Sequence, residues 1–251
     1  MMDFYAFLPS NASPEIYPDN KTSHFKTQLA QRKDLHGNWR AALIELHYPN
    51  TIAQVMEGEN VISIFKGNTI DMVYVPPGCY SSILDFLNAV RNALSESEFG
   101  ARDGQFLQIT NDNRLRFIPF DLADEAKVHF SPRLALQLGL EHAGPYPANR
   151  ENMTFKPIDL RLGMPAQMFV YMDILSDQII GHTRAPLLRT VPVDMQAKYG
   201  GATVVHFDHP IYFDLRTKSF DSIQIDIRDH AGRYIPFNFG TSTLLVHFRQ
   251  F

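Results

Sequence analysis

Residues 222–251, SIQIDIRDHAGRYIPFNFGTSTLLVHFRQF, indicate the fold class of this chain. Ile223, Ile225 and Ile227 alternate with polar residues, a pattern typical of a strand with one buried and one exposed face. Residues 244–248 repeat this alternation close to the end of the chain. Terminal residues usually fray unless they are held in a sheet. We therefore expect the chain to end in two paired strands, the last of them inside a sheet.

Glycine and proline residues mark the turns around the expected strands. Residues 229–232, DHAG, predict a turn in which Gly232 takes a positive φ. A second turn, VPPG at residues 75–78, precedes a run with helical periodicity. We assign structural roles in turns to Pro76, Pro77, Gly78, Gly232 and Gly240.

Extended patterns dominate both ends of the chain, whereas the middle contains helices. Residues 39–49, WRAALIELHYP, predict a strand in which Ala42, Ile44, Leu46 and Tyr48 share one face. Beyond residue 152 only strand patterns occur.

A change of period marks the central segment. Ser81 or Ser82 is placed to cap a helix, and Asp85 lies in its first turn, where the helix dipole favours a negative charge. The apolar stripe of this helix consists of Ile83, Leu87, Val90 and Leu94. A second, short helix is predicted at residues 131–139, SPRLALQLG, with Gly139 ending it.

These patterns predict a predominantly β protein of discontinuous organisation. Residues 142–152 contain two prolines and a glycine without periodicity, which indicates a boundary. The simplest arrangement is a β-sandwich built from residues 1–57 and 146–251, interrupted by a small α+β subdomain at 58–145.

Composition excludes several classes of protein. With 251 residues, 45% of them hydrophobic, the chain is long enough to bury a substantial core. A net charge of −4 argues against a non-specific nucleic-acid binder. No apolar run is long enough to span a bilayer, and the first twenty residues do not resemble a signal peptide. Cys79 is the only cysteine, so it forms no disulfide within the chain.

Three candidate chemical sites have weak support in the sequence. Cys79 precedes a helix N-terminus, where a thiolate is stabilised, but the sequence identifies no partner histidine. His206, Asp208 and His209 lie close together without a second ligand cluster, so polar surface positions are favoured over a metal site. The PPGCYSS turn lacks the glycine-rich loop and lysine of a nucleotide site. We therefore assign no catalytic residue, cofactor or metal.

Five stretches, in this order, resemble the minor capsid (penton) proteins of Polinton (Maverick) elements and adintovirus-like viruses. They are FYAFLPSNASPEIYPDNKTSHFKTQL, GNWRAALIELHYPNT, VPPGCYSS with its helix, FSPRLALQLGL and IDIRDHAGRYIPFNFGTSTLLVHFR. The resemblance covers essentially the whole chain. It implies a single jelly roll that forms a homopentamer at icosahedral five-fold vertices, beside a double-jelly-roll major capsid protein and with a cement protein as a further partner. The expected location is the virion, assembled inside the host cell.

Subunit contacts of such a pentamer need surface residues that the sequence does not identify directly. Asp226, Arg228, Asp229 and Arg233 form a mixed-charge cluster at the terminal turn. They are interpreted either as a solvated loop or as a contact between subunits, where alternating charges set the register. Two other functions remain open: a carbohydrate- or ligand-binding β-sandwich, and an enzyme on a jelly-roll scaffold.

Overall fold

The computed structural model describes residues 2–99, 106–119, 126–148 and 151–251, with the backbone alone at Phe155. The chain divides into two compact units. Unit 1 combines Met1–Ile52 with Pro165–Phe251, and unit 2 is Ala53–Met164. Within the described residues, no helix is long and apolar enough to cross a membrane.

The strands and helices follow one another along the chain, and those before residue 53 and after residue 164 belong to unit 1. In order they are β1 Asp3–Pro9, β2 His24–Asp34, β3 Trp39–Pro49, β4 Val61–Lys66, β5 Thr69–Tyr74, α1 Ile83–Ser95, β6 Leu107–Ile109, β7 Arg114–Phe117, β8 Lys127–Phe130, α2 Pro132–Gln137, β9 Tyr146–Pro147, β10 Asn152–Pro157, β11 Gln167–Met172, β12 Gln178–Ile180, β13 Thr183–Ala185, β14 Leu187–Pro192, β15 Ala202–His206, β16 Phe213–Asp214, β17 Ser219–Arg228 and β18 Thr243–Gln250.

Unit 1 is a sandwich of two antiparallel sheets. Sheet A has the strand order β1-β18-β3-β15, with β16 also paired to β3, and sheet B has the order β14-β11-β17-β2. Without the two-residue strand β16, the sandwich has eight strands, namely β1, β2, β3, β11, β14, β15, β17 and β18. If these are numbered 1 to 8 in chain order, the strand orders of the two sheets are 1-8-3-6 and 2-7-4-5. Apart from the fourth and fifth, consecutive strands lie in opposite sheets, and the first strand pairs with the last. This is the topology of a jelly roll, so the predicted fold class is confirmed.

The two terminal alternating runs lie in different sheets, so the expectation that they pair with each other is wrong. β17 pairs with β2 and β11, whereas β18 pairs with β1 and β3. The connection at residues 229–242 is long enough to cross the roughly 10 Å between two packed sheets. The other expectation is correct, because β18 lies inside sheet A.

The inward faces of β17 and β18 carry the apolar residues that the alternation predicted. Six side chains are fully buried, namely Ile223, Ile225, Ile227, Leu244, Val246 and Phe248. The rings of Phe220 and Phe248 lie 6.1 Å apart, which shows that the two strands contribute to one core.

A β-bulge in β3 changes which of its residues face the core. The register of β18 against β3 shifts at Ile44, which is only half-buried. Leu43 is buried before the bulge, and Leu46 and Tyr48 are buried after it. The prediction of one continuous inward face over residues 42–48 is therefore wrong, because an extra residue reverses the alternation.

Unit 2 is an α+β structure with a core of its own. Its sheets have the orders β5-β4-β8-β9 and β10-β7-β6, and helix α1 buries Leu87, Val90 and Leu94 in the shared core. The Ser82 hydroxyl accepts a hydrogen bond from the Asp85 backbone N–H at 3.1 Å, so Ser82 is the N-cap. Helix α2 begins at Pro132, as predicted.

The limits of unit 2 differ from the boundaries proposed from the sequence, 57/58 and 145/146. Residues 53–57 and 146–164 belong to unit 2. Two contacts account for the difference: Val55 pairs with Gly78, and β10 pairs with β7. The residues before β11 look like sandwich strands in the sequence, but β10 obtains its hydrogen bonds from unit 2.

Replacing Ile225 with Asp tests the assignment of the buried face. The side chain is fully buried in β17, and an unpaired carboxylate there is expected to cost several kcal/mol, comparable with the roughly 5–15 kcal/mol stability of a domain. We expect Ile225→Asp to abolish soluble expression or the cooperative unfolding transition in urea. Asp226→Asn, on the opposite face, is expected to retain the fold. Equal stability of the two variants would contradict the assigned faces.

Candidate functional site

The four charged residues predicted to form a subunit contact make two ion pairs within the chain. Arg228 Nη2 donates to Asp226 Oδ2 at 2.6 Å. Arg233 Nε donates to Asp229 Oδ2 at 2.9 Å. The structure therefore places the four at or just beyond the end of β17 as two separate pairs, and each charge has an opposite charge in its own subunit.

The Arg228 guanidinium is held by the turn that follows β17. It lies 4.3 Å from the centre of the Tyr234 ring, and Nη2 donates to the Tyr234 hydroxyl at 2.8 Å. Nη1 donates to the backbone carbonyl of Gly232 at 3.2 Å. Arg228 thus joins the strand to the turn, which is a structural role that the sequence pattern did not reveal.

Asp226 accepts hydrogen bonds from several sides. Its Oδ1 lies 2.7 Å from His24 Nδ1 and 3.2 Å from Gln224 Nε2. Burial acts to raise the pKa of Asp226, but the hydrogen bonds from Arg228, His24 and Gln224 outweigh it, so the pKa lies below its usual value. The ionised carboxylate therefore stabilises the folded subunit.

Asp229 shapes the turn that contains Gly232. Its buried carboxylate accepts backbone N–H groups of Ala231 at 2.8 Å and of Arg233 at 2.9 Å. Burial acts to raise the pKa of Asp229, yet hydrogen bonds from the Arg233 backbone and guanidinium lower it below the usual value. Gly232 has φ +80, as the predicted turn requires.

The other glycines assigned to turns lie at close approaches of the backbone. Gly78 has φ +146. Its N–H donates to the Val55 carbonyl at 2.9 Å, and the Val55 N–H donates to the Gly78 carbonyl at 3.0 Å. The Tyr80 hydroxyl donates to the carbonyl of Pro76 at 2.6 Å, and Pro77 lies between these contacts. At Gly240, φ is +100 and a Cβ atom would lie 2.5 Å from Cβ of Pro49. Half-buried Cys79 lies between Gly78 and Tyr80 in this same turn.

The histidines considered as metal ligands have other surroundings. His206 Nδ1 lies 2.8 Å from Glu45 Oε2, and the other oxygen of Glu45 contacts His47. Asp208 and His209 are exposed beyond the end of β15. In the described ranges, no three His, Cys, Asp or Glu side chains have an arrangement suited to a metal ion. Glu45 thus contacts both His47 and His206. The i, i+2 spacing of Glu45 and His47 on β3 is the feature of the sequence that could have predicted the first of these contacts.

A buried histidine on the outer face of sheet A was also missed. His247 is 7% exposed although it points away from the core. The Tyr5 ring stacks on it at 4.4 Å, and the Tyr212 hydroxyl lies 2.7 Å from its Nδ1. Asp3 Oδ2 is 3.3 Å from its Nε2. Asp3 and Tyr5 belong to β1 and Tyr212 precedes β16, all far from His247 in the chain, so periodicity alone could not identify them.

A groove opens on the flank where both sheets have an unpaired edge. β1 is an edge strand of sheet A, β2 is an edge strand of sheet B, and a cavity of about 310 Å³ lies between them. The side chains of Tyr5 and Phe7 on β1 are 57% and 69% exposed. The cavity extends to Ile223 of the core. The sequence signal is that DFYAFLP carries apolar residues on both faces of the strand.

Comparisons with protein-family models and with curated protein sequences find no match. Among solved structures, the crystal structure of selenomethionine-labelled mavirus penton protein is similar over 100% of both chains, with a TM-score of 0.55 and 10% identity. The chain has the fold of a viral penton protein. At this identity the likeness is one of fold, and it confirms the fold that the sequence resemblance implied.

The ion pairs at the end of β17 predict a pH dependence of stability. The folded-state pKa of Asp226 lies below its unfolded value of about 3.9, so its contribution is present above about pH 4 and is lost as the pH falls. We expect Arg228→Met to lower the free energy of unfolding by about 1–2 kcal/mol at pH 7. The difference from wild type should shrink at pH 3, measured as urea midpoints. A difference that is the same at both pH values would contradict the pairing.

Chelation provides a test of the metal assignment. Because no suitable ligand group occurs in the described residues, we expect EDTA to leave the thermal midpoint unchanged. A structural metal would contribute to stability by mass action, so its removal would lower the midpoint. A loss of several degrees, restored by one divalent metal, would direct attention to Glu45, His47 and His206.

Proposed function

We propose that this chain is a penton-type minor capsid protein that forms homopentamers at the icosahedral five-fold vertices of a virus particle. The observation that supports the proposal is the likeness of fold to mavirus penton protein over the whole of both chains, with a TM-score of 0.55. In this proposal the chain is a structural protein, with no catalytic residue and no cofactor. Its function is to present surfaces at a fixed geometry.

Unit 1 has the two different flanks that a ring of identical subunits needs. In a closed cyclic ring each subunit contributes one surface and receives another, so the two contacting surfaces are unlike. One flank carries the edges β1 and β2, and the other carries β14 and β15. A flank-to-flank contact repeated five times would close a pentamer, and closure makes the final association intramolecular. Each contact alone therefore needs only modest affinity.

The proposed partners are other capsid proteins. A double-jelly-roll major capsid protein would surround the vertex, and a cement protein would lie beneath it. The net charge of −4 supports protein contacts over direct binding to nucleic acid, which requires an excess of lysine and arginine. Assembly would take place inside the host cell, and the mature location would be the capsid vertex.

The charged residues at the terminal turn are poor probes of this ring, although a role in subunit contacts stays a prediction for them. Arg228 and Asp226 are paired and partly buried, with side-chain exposures of 32% and 15%. Reversing the charge of Arg228 or Arg233 would break an intrachain pair and alter the turn. A loss of assembly in such variants would not distinguish a lost contact from a weakened subunit.

Imaging of assembled particles tests the proposed function directly. The chain is co-expressed with the major capsid protein, and the particles are reconstructed by electron microscopy with icosahedral symmetry. We expect density for the jelly roll at the five-fold vertices, with five copies at each vertex. Density at facets or in the interior, with another protein at the vertices, would rule the proposal out. A purified monomer that binds glycans and never enters particles would instead support a carbohydrate-binding sandwich.

A further inference from the structure

The segment between β11 and β14 forms a small hairpin that extends into solvent. β12 and β13 pair with each other and, in the described chain, with no other strand. Ile179 is 77% exposed, more than any other large hydrophobic side chain in the described residues. Arg184 is its cross-strand partner and is also exposed, so an isoleucine and an arginine lie side by side on one face.

This hairpin lies at the same end of the jelly roll as the groove between β1 and β2. β11 runs toward the hairpin and ends where Met172 pairs with Ile225 of β17. Further toward that end, Phe220 of β17 pairs with Lys33 of β2, and Lys33 lines the groove. In the other sheet, the start of β1 lies at this end too, since Phe4 pairs with Phe248, whose ring lies 6.1 Å from that of Phe220 on β17.

The hairpin and the groove belong to opposite flanks. The hairpin connects β11 to the edge strand β14, whereas the groove lies at the edge strand β2, and these edges are the two ends of the order β14-β11-β17-β2. In a cyclic ring all subunits have the same height along the axis. In a ring whose axis runs along the strands, a projecting element on one flank and a groove on the other can therefore meet only if both lie at the same end of the jelly roll, as they do here.

We propose that the β12–β13 hairpin of one copy docks in the β1/β2 groove of the next copy, with Ile179 as the inserted side chain. This inference rests on the proposed ring of identical subunits, and it names the surfaces that make the ring contact. The groove offers apolar walls from Phe4, Phe7 and Leu29 and a floor at Ile223.

Charge and size both favour a second copy of this chain as the occupant. Arg184 would reach the end of the groove beside Ile179, where Asp3, with a side chain 55% exposed, precedes the lining residue Phe4. The lining residue Lys33 has its Nζ 5.2 Å from the centre of the Phe4 ring, so of these two charged residues it is Asp3 that offers Arg184 an opposite charge. Opposite charges at the edge of a contact set its register. The hairpin has only two strands of three residues each, so the area it can bury is far smaller than the roughly 800 Å² per partner of a stable two-body interface. A closed ring can use contacts of this size.

Cross-linking between engineered cysteines tests the contact. Ile179→Cys and Ala30→Cys, the latter an exposed residue lining the groove, are combined in a Cys79→Ser chain and assembled into particles with the major capsid protein. A short bismaleimide should then link neighbouring copies, giving a ladder that ends at five chains on a denaturing gel. Each single-cysteine chain should give no product larger than two chains.

The matched control uses Ile16, another exposed isoleucine in the loop that follows the opposite end of β1. Ile16→Cys combined with Ala30→Cys should give no ladder. Ile179→Asp should reduce the occupancy of this chain in particles at least tenfold, whereas Ile16→Asp should leave it unchanged. Both aspartates replace exposed side chains, so thermal midpoints should match wild type.

The outcomes separate the inference from the function on which it rests. Vertex density for five copies without a ladder from the Ile179/Ala30 cysteine pair would overturn the docking and leave the penton function intact. An equal ladder from the Ile16/Ala30 pair would also overturn it, because the linkage would then be non-specific. Absence of the wild-type chain from vertices would overturn both.

Discussion

The pairing of β18 with both β1 and β3 is the contact on which the remainder of the jelly roll depends. β18 supplies three fully buried side chains, Leu244, Val246 and Phe248, and hydrogen bonds on both of its edges. Without it, β1 would have no strand partner and sheet A would lose its centre. The position of β18 also makes β1 an edge strand, and that edge forms one wall of the groove beside β2.

The same pairing joins residues that are far apart in the chain, with Asp3 opposite Arg249. Non-local contacts form slowly, because loop-closure entropy is lost before the contact contributes. Unit 2 has the opposite character, since its β4–β5 hairpin and helix α1 are local and its core is its own. An insertion that folds independently shortens the disordered loop between β3 and β11, so it does not add its full length to the entropic cost of forming the sandwich.

The sequence predicted the parts of this structure that depend on local periodicity. The buried isoleucines of β17 and the Ser82 cap of α1 follow from spacing and side-chain chemistry alone. Strand partners do not, because one alternating run is compatible with many neighbours, and this is why β17 and β18 were expected to pair. The bulge at Ile44 depends on the register of two strands and leaves no mark in either sequence.

Site residues were harder to predict than the fold for a related reason. A charge is visible in the sequence, but its partner across a sheet or turn is not, so the intrachain contacts of Arg228 with Tyr234 could not be anticipated. The groove has a weak signal, apolar residues on both faces of β1, which becomes meaningful only once β1 is known to be an edge. A single exposed isoleucine such as Ile179 is ordinary on a protein surface, so it does not predict a contact until the groove on the opposite flank is known.

A likeness of fold at 10% identity is physically reasonable for a jelly roll. A jelly roll needs apolar side chains of adequate total volume on its inward faces, and many sequences satisfy that requirement. In the proposed ring, contacts between subunits are different, since the hairpin and the groove must match each other within one chain but need not match those of another protein with this fold. Interface residues can therefore change together while the core pattern and the strand order are retained. This is why the surfaces of the proposed ring are inferred from this chain's own flanks, rather than transferred by position from a protein with the same fold.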